Sequence, residues 1–355
     1  MKVLTLCKRR SSSRDLVNER FGRYYQLPVA LAASGVQSLV LAADYSSGSV
    51  DEITVGSAKF VSLPLFVSGI PSYLRRVGDA ARRFGPDVVL AGSDTQFGWV
   101  GRRIARQMGV PFVFDVFDNY EAFASGRIPG VKRLFHSLAH GADLTVVVSD
   151  SLRLLLKLGD QVAVVPNGVD MDLFRPRFPG GRREPSPTAI VGYVGGLARD
   201  RGVETLVEAV SILRRRGADL RMEIAGPLER GFNPPSETWI HNRGFVDHSE
   251  VPQIIAGLDV AVLPYPDTAW ARHTSSYKVL EYMACEVPVV VTDISNYRRV
   301  AASVEAVAIP GDAEDMARAI EFQLRNRRIV PRQGAWSWQA RAGELLGAMQ
   351  ALLNA

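Results

Sequence analysis

The feature that most constrains this chain is an alternation that runs its whole length. A short β-branched run gives way to a Gly/Asp/Ser-rich turn, then to a longer amphipathic stretch, then to another short run. Val3–Cys7, Gln37–Ala42, Asp87–Ala91, Phe112–Asp115, Leu144–Ser149 and Val162–Val165 read as strands. Tyr24–Ser34, Pro71–Phe84, Trp99–Met108 and Ile128–Gly141 read as helices between them. Continuous apolar strands alternating with helices require a parallel sheet covered on both faces. The alternation breaks at Arg175–Pro187, where four prolines and two glycines leave no periodicity, so this segment reads as a linker.

After the linker the pattern restarts. Strand Ala189–Val194 is followed by helix Gly202–Arg216, strand Arg221–Ala225, helix His248–Gly257 and strand Val260–Pro264. Helix Tyr277–Ala284, strand Pro288–Thr292 and a helix near Asp312–Gln323 complete it. The expectation is an α/β protein of two doubly wound, Rossmann-like domains facing a central cleft. The first spans 1–174, the linker 175–187 and the second 188–334, with the last helix (335–355) packing back on the first domain. A chain of 355 residues agrees, because one core seldom grows past about 250–300 residues. Open α/β sheets bind ligands at the carboxyl ends of their strands.

Composition narrows the class. With 47% hydrophobic and 22% charged residues the chain is globular rather than disordered. No apolar run approaches the length of a membrane span, and MKVLTLC is too short for a signal peptide. Cys7 and Cys285 lie far apart, as buried thiols of a reducing compartment do, so a cytoplasmic location is expected. The net charge of +5 is mostly N-terminal, residues 1–172 holding 20 Lys/Arg against 16 Asp/Glu. Arg75, Arg76, Arg82 and Arg83, then Arg102, Arg103 and Arg106, fall on helices. They form either a solvated face or a peripheral contact with the inner face of an anionic membrane, worth about 1 kcal/mol per basic residue. No aromatics alternate with them as a nucleic-acid platform requires. His136, His140, His241 and His248 fall on unrelated segments and read as surface or helix-end residues, while Trp336 and Trp338 read as packing anchors.

Two stretches carry chemistry. Gly195 and Gly196 follow a strand, and a helix opens near Gly202, which is how a backbone comes close to a diphosphate. A simple tight turn reads equally well. Arg199 and Arg201 share that turn and are suited to phosphate oxygens. No Gly-x-Gly-x-x-Gly follows the first strand, which argues against nicotinamide or flavin. In HTSSYKVLEYMACEVPVVVTD (His273–Asp293), Thr274, Ser275 and Ser276 precede a helix and make a second anion site. Lys278 sits in the first turn, where the helix dipole disfavours a cation unless an anion is near. Glu281 lies one turn on, placed for a ribose diol or for a surface pair with Lys278.

These stretches, in this order, resemble the retaining GT-B glycosyltransferases of family 4, the glycosyl transferases group 1. VVPNGVDMDLF (Val164–Phe174) resembles the family's domain crossover, GYVGGLARDRG (Gly192–Gly202) its donor-diphosphate loop and LDVAVLPY (Leu258–Tyr265) its strand beside the nucleotide. KVLEYMACEVPVVVTD (Lys278–Asp293) resembles its donor helix and the strand that follows. The resemblance implies transfer of a sugar from a nucleoside-diphosphate sugar to an acceptor hydroxyl, with retention, and usually without a metal or other cofactor. The implied acceptor is a cell-envelope glycan, a lipid-linked glycan or a glycoconjugate. It implies donor contacts from Gly195, Gly196, Arg199, Arg201, Thr274, Ser275, Ser276, Lys278 and Glu281. Asp118, His273 and Lys278 are the catalytic candidates, and Ser12, Arg14, Asn119 and Glu121 the acceptor-side ones.

The chain also departs from the family. His273 stands where a glutamate is common, Gly196 where an arginine is common, Glu286 where a glycine is frequent and Phe117 where a histidine often lies. KRRSSSRDLVNERFGRYY (Lys8–Tyr25) takes the place of a glycine-rich first loop. Two rival readings therefore stand beside the transferase: a GT-B nucleotide-sugar epimerase, and a non-catalytic nucleotide-sugar-binding protein.

Overall fold

The computed structural model describes residues 1–11, 14–46, 50–65, 69–177, 187–229, 231–233, 236–294 and 297–355. Ser12 and most of the 175–187 linker lie outside the described residues. The chain divides into two compact units. The first is Met1–Gly168, His273–Ser275 and Trp338–Ala355, and the second is Val169–Arg272 and Ser276–Ser337.

The first unit opens with β1 (Lys2–Lys8), β2 (Arg10–Ser11), β3 (Arg14–Asp15), α1 (Arg23–Ala33), β4 (Gln37–Asp44), β5 (Glu52–Val55) and β6 (Ala58–Pro64). It continues through α2 (Gly69–Phe84), β7 (Val88–Gly92), α3 (Thr95–Met108), β8 (Phe112–Val116), α4 (Val131–His140), β9 (Leu144–Val147), α5 (Asp150–Leu155) and β10 (Val162–Val164). Its sheet runs β10-β9-β8-β7-β1-β4-β6-β5. Seven strands are parallel, and β5 is antiparallel to β6. This corrects the expectation of a wholly parallel sheet. The turn Gly56–Ser57 joins β5 to β6, and so short a connection permits only a hairpin. The β2–β3 ribbon was likewise not expected.

The second unit contains β11 (Ala189–Val194), α6 (Val203–Arg215), β12 (Leu220–Ala225), β13 (Ile240–Asn242), α7 (Val251–Ala256) and β14 (Val260–Leu263). Then come α8 (Tyr277–Ala284), β15 (Val289–Thr292), α9 (Tyr297–Val300), β16 (Val307–Ala308) and α10 (Ala313–Asn326). The sheet order is β13-β12-β11-β14-β15-β16, all parallel. Its core joins Leu206, Val210 and Leu213 of α6 to Met316, Ala317 and Ile320 of α10 over the sheet. A fully buried aliphatic side chain of this kind contributes about 1.5–3 kcal/mol relative to leaving it in water.

The last helix, α11 (Trp338–Leu353), belongs to the first unit and lies along α1. Trp338, Ala342, Leu345 and Met349 form its buried stripe at helical spacing. On the first unit's sheet, α2, α3 and α4 pack side by side as one helical layer. Leu4 and Leu6 join the core beneath that layer, while Val3, Thr5 and Cys7 alternate to the opposite face.

Each sheet reverses its strand order once. In the first the reversal lies between β1 and β7, in the second between β11 and β14. Loops leaving such a pair part in opposite directions and open a crevice at the carboxyl edge.

Candidate functional site

In the second unit the crevice is bounded by the loop after β11 and the loop after β14. Gly195 N donates to Ala225 O at 2.7 Å and Leu197 N to Pro227 O at 2.8 Å, which ties the glycine turn to the end of β12. Arg199–Arg201 form one 3-10 turn, and Gly202 closes it at φ 72°, so α6 begins one residue later than the sequence suggests. A Cβ at Gly202 would stand 1.8 Å from the Pro264 carbonyl oxygen, so glycine alone lets the two loops meet.

Lys278 lies against the same turn. A Cβ at Gly195 would stand 1.8 Å from Lys278 Cε, which places the lysine arm directly across the glycine backbone. Its ammonium is 6.0 Å from the Tyr265 ring, and among the described residues it forms no ion pair. Tyr282, one turn further along α8, accepts from Val194 N at 2.9 Å and donates to Val194 O at 3.2 Å. α8 is thereby registered on the end of β11. Burial pushes the Tyr193 and Tyr282 phenols far above their ordinary value, so both remain neutral hydrogen-bonding groups. Tyr193 donates to Gly196 O at 3.1 Å and holds the turn from below.

Arg201 faces this crevice, whereas Arg199 is exposed and lies 3.8 Å from Glu204. The Arg201 guanidinium stands over the Trp270 ring at 3.8 Å. Trp270 packs on Tyr265, ring centres 5.2 Å apart. Tyr265 follows the end of β14, and its hydroxyl reaches Ser276 Oγ at 3.4 Å. Ser276 is the residue before α8, yet its side chain makes no bond back to the helix, and its N–H donates to Tyr297 Oη at 3.3 Å. Glu281 is buried on the next turn of α8.

Thr274, Ser275 and His273 group with the first unit. Ser149 Oγ donates to His273 O at 3.2 Å, and Asn167 Nδ2 donates to Ser275 O at 2.7 Å. Asn167 N also donates to Ser275 Oγ at 3.4 Å. The structure therefore places Gly195, Gly196, Arg201, Ser276 and Lys278 around one crevice of the second unit, and holds His273–Ser275 by backbone bonds to the first.

Within the first unit a buried ion pair joins α1 to β8 at the carboxyl edge. Arg23 opens α1 and grips Asp115 through two bonds, Nε to Oδ2 at 2.8 Å and Nη2 to Oδ1 at 3.1 Å, both side chains 1% exposed. Arg23 also donates to Pro166 O and Asn167 Oδ1. Tyr24 and Tyr120 both accept from Ser93 N, at 2.9 and 3.0 Å, and donate to Asp115 O. Burial, then the Asp115 charge, holds both phenols far above their ordinary value. Phe117 packs edge-on between these two rings, at 5.7 and 5.8 Å.

The acceptor-side candidates divide. Asp118 accepts from Asn119 N at 2.8 Å, and Asn119 caps the 3-10 turn Tyr120–Ala122 by accepting from Glu121 N at 3.2 Å. Glu121 bonds His136 and lies 3.9 Å from Lys132. Arg14 pairs with Glu19 at 2.7 Å. Among the described residues no group of three His, Cys, Asp or Glu side chains could hold a metal ion, and no helix is long and apolar enough to cross a membrane.

Sequence reasoning missed Trp270, Glu229 and the hub role of Tyr265. Tyr265 lies just past a recognisable strand, so its place was legible. Trp270 and Glu229 lie in loops, and only the fold brings them to Arg201.

Comparison with known proteins fits this architecture. Residues 24–173 match the sequence profile described as Glycosyltransferase Family 4, and residues 188–326 match Glycosyl transferases group 1. Between them the two profiles leave out only the chain ends and residues 174–187. The chain belongs to this family: it is a GT-B glycosyltransferase that moves a sugar from a nucleotide sugar to an acceptor hydroxyl. It is 33% identical over 196 residues to a GDP-mannose-dependent alpha-mannosyltransferase of Mycobacterium tuberculosis, spanning about half of each chain (50% and 51%). It is 29% identical to the protein of the same description from Mycolicibacterium smegmatis, over 83% of this chain and 80% of that one. Among solved structures, sucrose-phosphate synthase from Thermosynechococcus elongatus superposes with a TM-score of 0.78 at 17% identity, covering 99% of both chains. Anabaena HepE in complex with UDP and glucose gives 0.71 at 16%, covering 99% of this chain and 100% of that one. At such identities these structures establish the two-lobed α/β fold alone.

Proposed function

We propose that the second unit holds the donor's nucleoside diphosphate in the crevice between the loops after β11 and β14. The observation that carries this is the Lys278 arm laid across Gly195, near the same Tyr265 ring as Arg201, with no carboxylate among the described residues salt-bridged to its ammonium. A half-buried ammonium in the first turn of a helix stands against the dipole, and a diphosphate in the same crevice offsets that cost. Gly195, Gly196, Arg201, Ser276 and Lys278 surround the phosphates, Thr274 and Ser275 add their groups ahead of α8, and Glu281 takes the ribose diol. As the glycosidic bond breaks, charge gathers on the leaving diphosphate. Donors already fixed by Tyr193, Tyr282 and Trp270 stabilise it without reorganising. The anomeric carbon gains oxocarbenium character and the acceptor arrives on the face the leaving group departs, which gives retention.

On the acceptor side, Asp118, Asn119 and Glu121 orient the accepting hydroxyl, Arg14 and Ser12 contact the acceptor, and His273 is a catalytic residue at the donor sugar. The acceptor is a cell-envelope or lipid-linked glycan reached from the cytoplasmic face of the membrane. Support for a membrane-proximal acceptor comes from the α2–α3–α4 layer. α3 and α4 carry no acidic residue, and Arg75, Arg76, Arg82, Arg83, Arg103 and Arg106 are exposed on α2 and α3. GDP-mannose heads the donors to test, since it is named for the two mannosyltransferases above, with UDP sugars next.

The deciding experiment incubates the full chain with each nucleotide sugar, with and without envelope lipid extract, and follows nucleoside diphosphate release and the anomeric configuration of the product. Release only with acceptor, and a retained anomer, is expected. An inverted product, or turnover of donor alone to a second nucleotide sugar, overturns the reading. Glu281→Ala should weaken the donor and the free nucleoside diphosphate about equally, and unchanged affinity removes Glu281 from the ribose.

A further inference from the structure

Arg201 is placed by stacking rather than by hydrogen bonds. Its guanidinium carbon lies 3.8 Å from the centre of the Trp270 ring and 5.9 Å from that of Tyr265. The side chain is 19% exposed, and its Nη1 is buried with no hydrogen-bond partner among the described residues. The nearest carboxylate oxygens, Asp200 Oδ2 and Glu229 Oε1, stand 3.5 and 3.9 Å from its terminal nitrogens. Those are ion-pair distances beyond a good hydrogen bond. A guanidinium has five donors in a rigid fork, and here the fork is oriented by stacking while it makes no hydrogen bond among the described residues.

Glu229 adds a second observation. Its Oε1 lies 3.4 Å from the point a Cβ would occupy at Gly196, so the carboxylate sits over the glycine turn as well as beside Arg201. Glu229 N bonds Leu197 O at 3.1 Å, which fixes its backbone to that turn, while the side chain itself is 52% exposed and has room to leave. An internal anion thus stands where the glycine loop and Arg201 converge.

We infer that Trp270 is a positioning residue for the donor's diphosphate, acting through Arg201, and that Glu229 is the stand-in anion the diphosphate displaces. This rests on the donor reading above. Trp270 holds the fork in plane for the phosphate oxygens, and Glu229 lowers the electrostatic cost of the waiting cation. Neither touches the reacting carbon.

The test is calorimetric titration of the full chain with UDP, GDP and ADP and with the matching monophosphates. Trp270→Leu should weaken the bound diphosphate about tenfold, or 1.4 kcal/mol, between the sizes of an exposed and a desolvated cation–π contact. The monophosphate should change less than about twofold, and Trp270→Phe should recover the diphosphate to within about threefold, because a ring remains to stack on. Arg201→Met added to Trp270→Leu should cost far less than Arg201→Met alone, the mark of two residues acting as one. Glu229→Gln should tighten the diphosphate about three- to tenfold, by removing a competing charge. Equal losses for mono- and diphosphate, or equal losses in the Leu and Phe variants, overturn the role of Trp270. Unchanged or weaker binding in Glu229→Gln overturns the displacement. Failure of the unaltered chain to bind any diphosphate overturns the donor reading and this inference together, whereas a chain that binds while Trp270→Leu binds equally well overturns the inference alone.

Discussion

At Glu286 one side chain bears a cost that its neighbours set. α8 ends in a Schellman turn, with Val287 N donating to Tyr282 O at 3.2 Å and Glu286 N to Met283 O at 2.9 Å. That turn puts Glu286 at φ 55°, in the left-handed region where a side chain costs roughly 1–2 kcal/mol. The glycine frequent in the resembling family therefore has a backbone reason. Glu286→Gly should raise stability by about 1 kcal/mol in urea denaturation, the strain relieved outweighing the extra freedom of an unfolded glycine. Arg23 and Asp115 make the opposite case. Both are fully desolvated, so Asp115→Asn leaves a buried cation without its counter-charge and should cost about 3–5 kcal/mol. The double replacement Arg23→Met with Asp115→Leu should cost clearly less than the two single changes summed, and additive losses would deny the coupling.

Among the elements, the sequence was most legible where apolar spacing is strong. The limits of α8 are as the sequence suggests, and those of β11 and β14 lie within a residue of it, because each carries a mostly buried run. β5 was missed since its burial merely alternates between exposed and half-buried, as an edge strand's does. β13, β16 and the β2–β3 ribbon have only two or three residues per strand, too few for periodicity to register. The glycine turn and α8 announced the crevice, but Trp270 lies 69 positions from Arg201 in sequence and only side-chain contact joins them. α11 was legible from its apolar stripe. Leu345, 1% exposed on that stripe, should cost about 2–5 kcal/mol when cut to alanine, while neighbouring exposed Glu344→Ala should cost under about 0.5 kcal/mol. Equal effects would mean the helix is not docked through that face.

For the whole molecule, the two units should answer a donor differently. The crevice residues Gly195, Gly196, Arg201, Ser276 and Lys278 all belong to the second unit. A nucleoside diphosphate at 100 times its Kd should stabilise by about 2.7 kcal/mol. Hydrogen exchange should slow most in residues 193–203 and 276–284, with β4 and β6 little changed. Protection spread evenly over both units would place the nucleotide elsewhere.

The Lys278 arm lying across Gly195 has a consequence for how such chains diverge. A side chain at position 195 would meet Lys278 at Cε and Cδ, and the Tyr193 hydroxyl as well. Position 195 therefore cannot gain a side chain while the lysine keeps its path. A lineage that gains bulk at 195 must shorten or redirect the residue at 278, and then must find its phosphate cation elsewhere in the crevice. Across many descendants of a common ancestor, a side chain at 195 should come with a shorter or redirected one at 278.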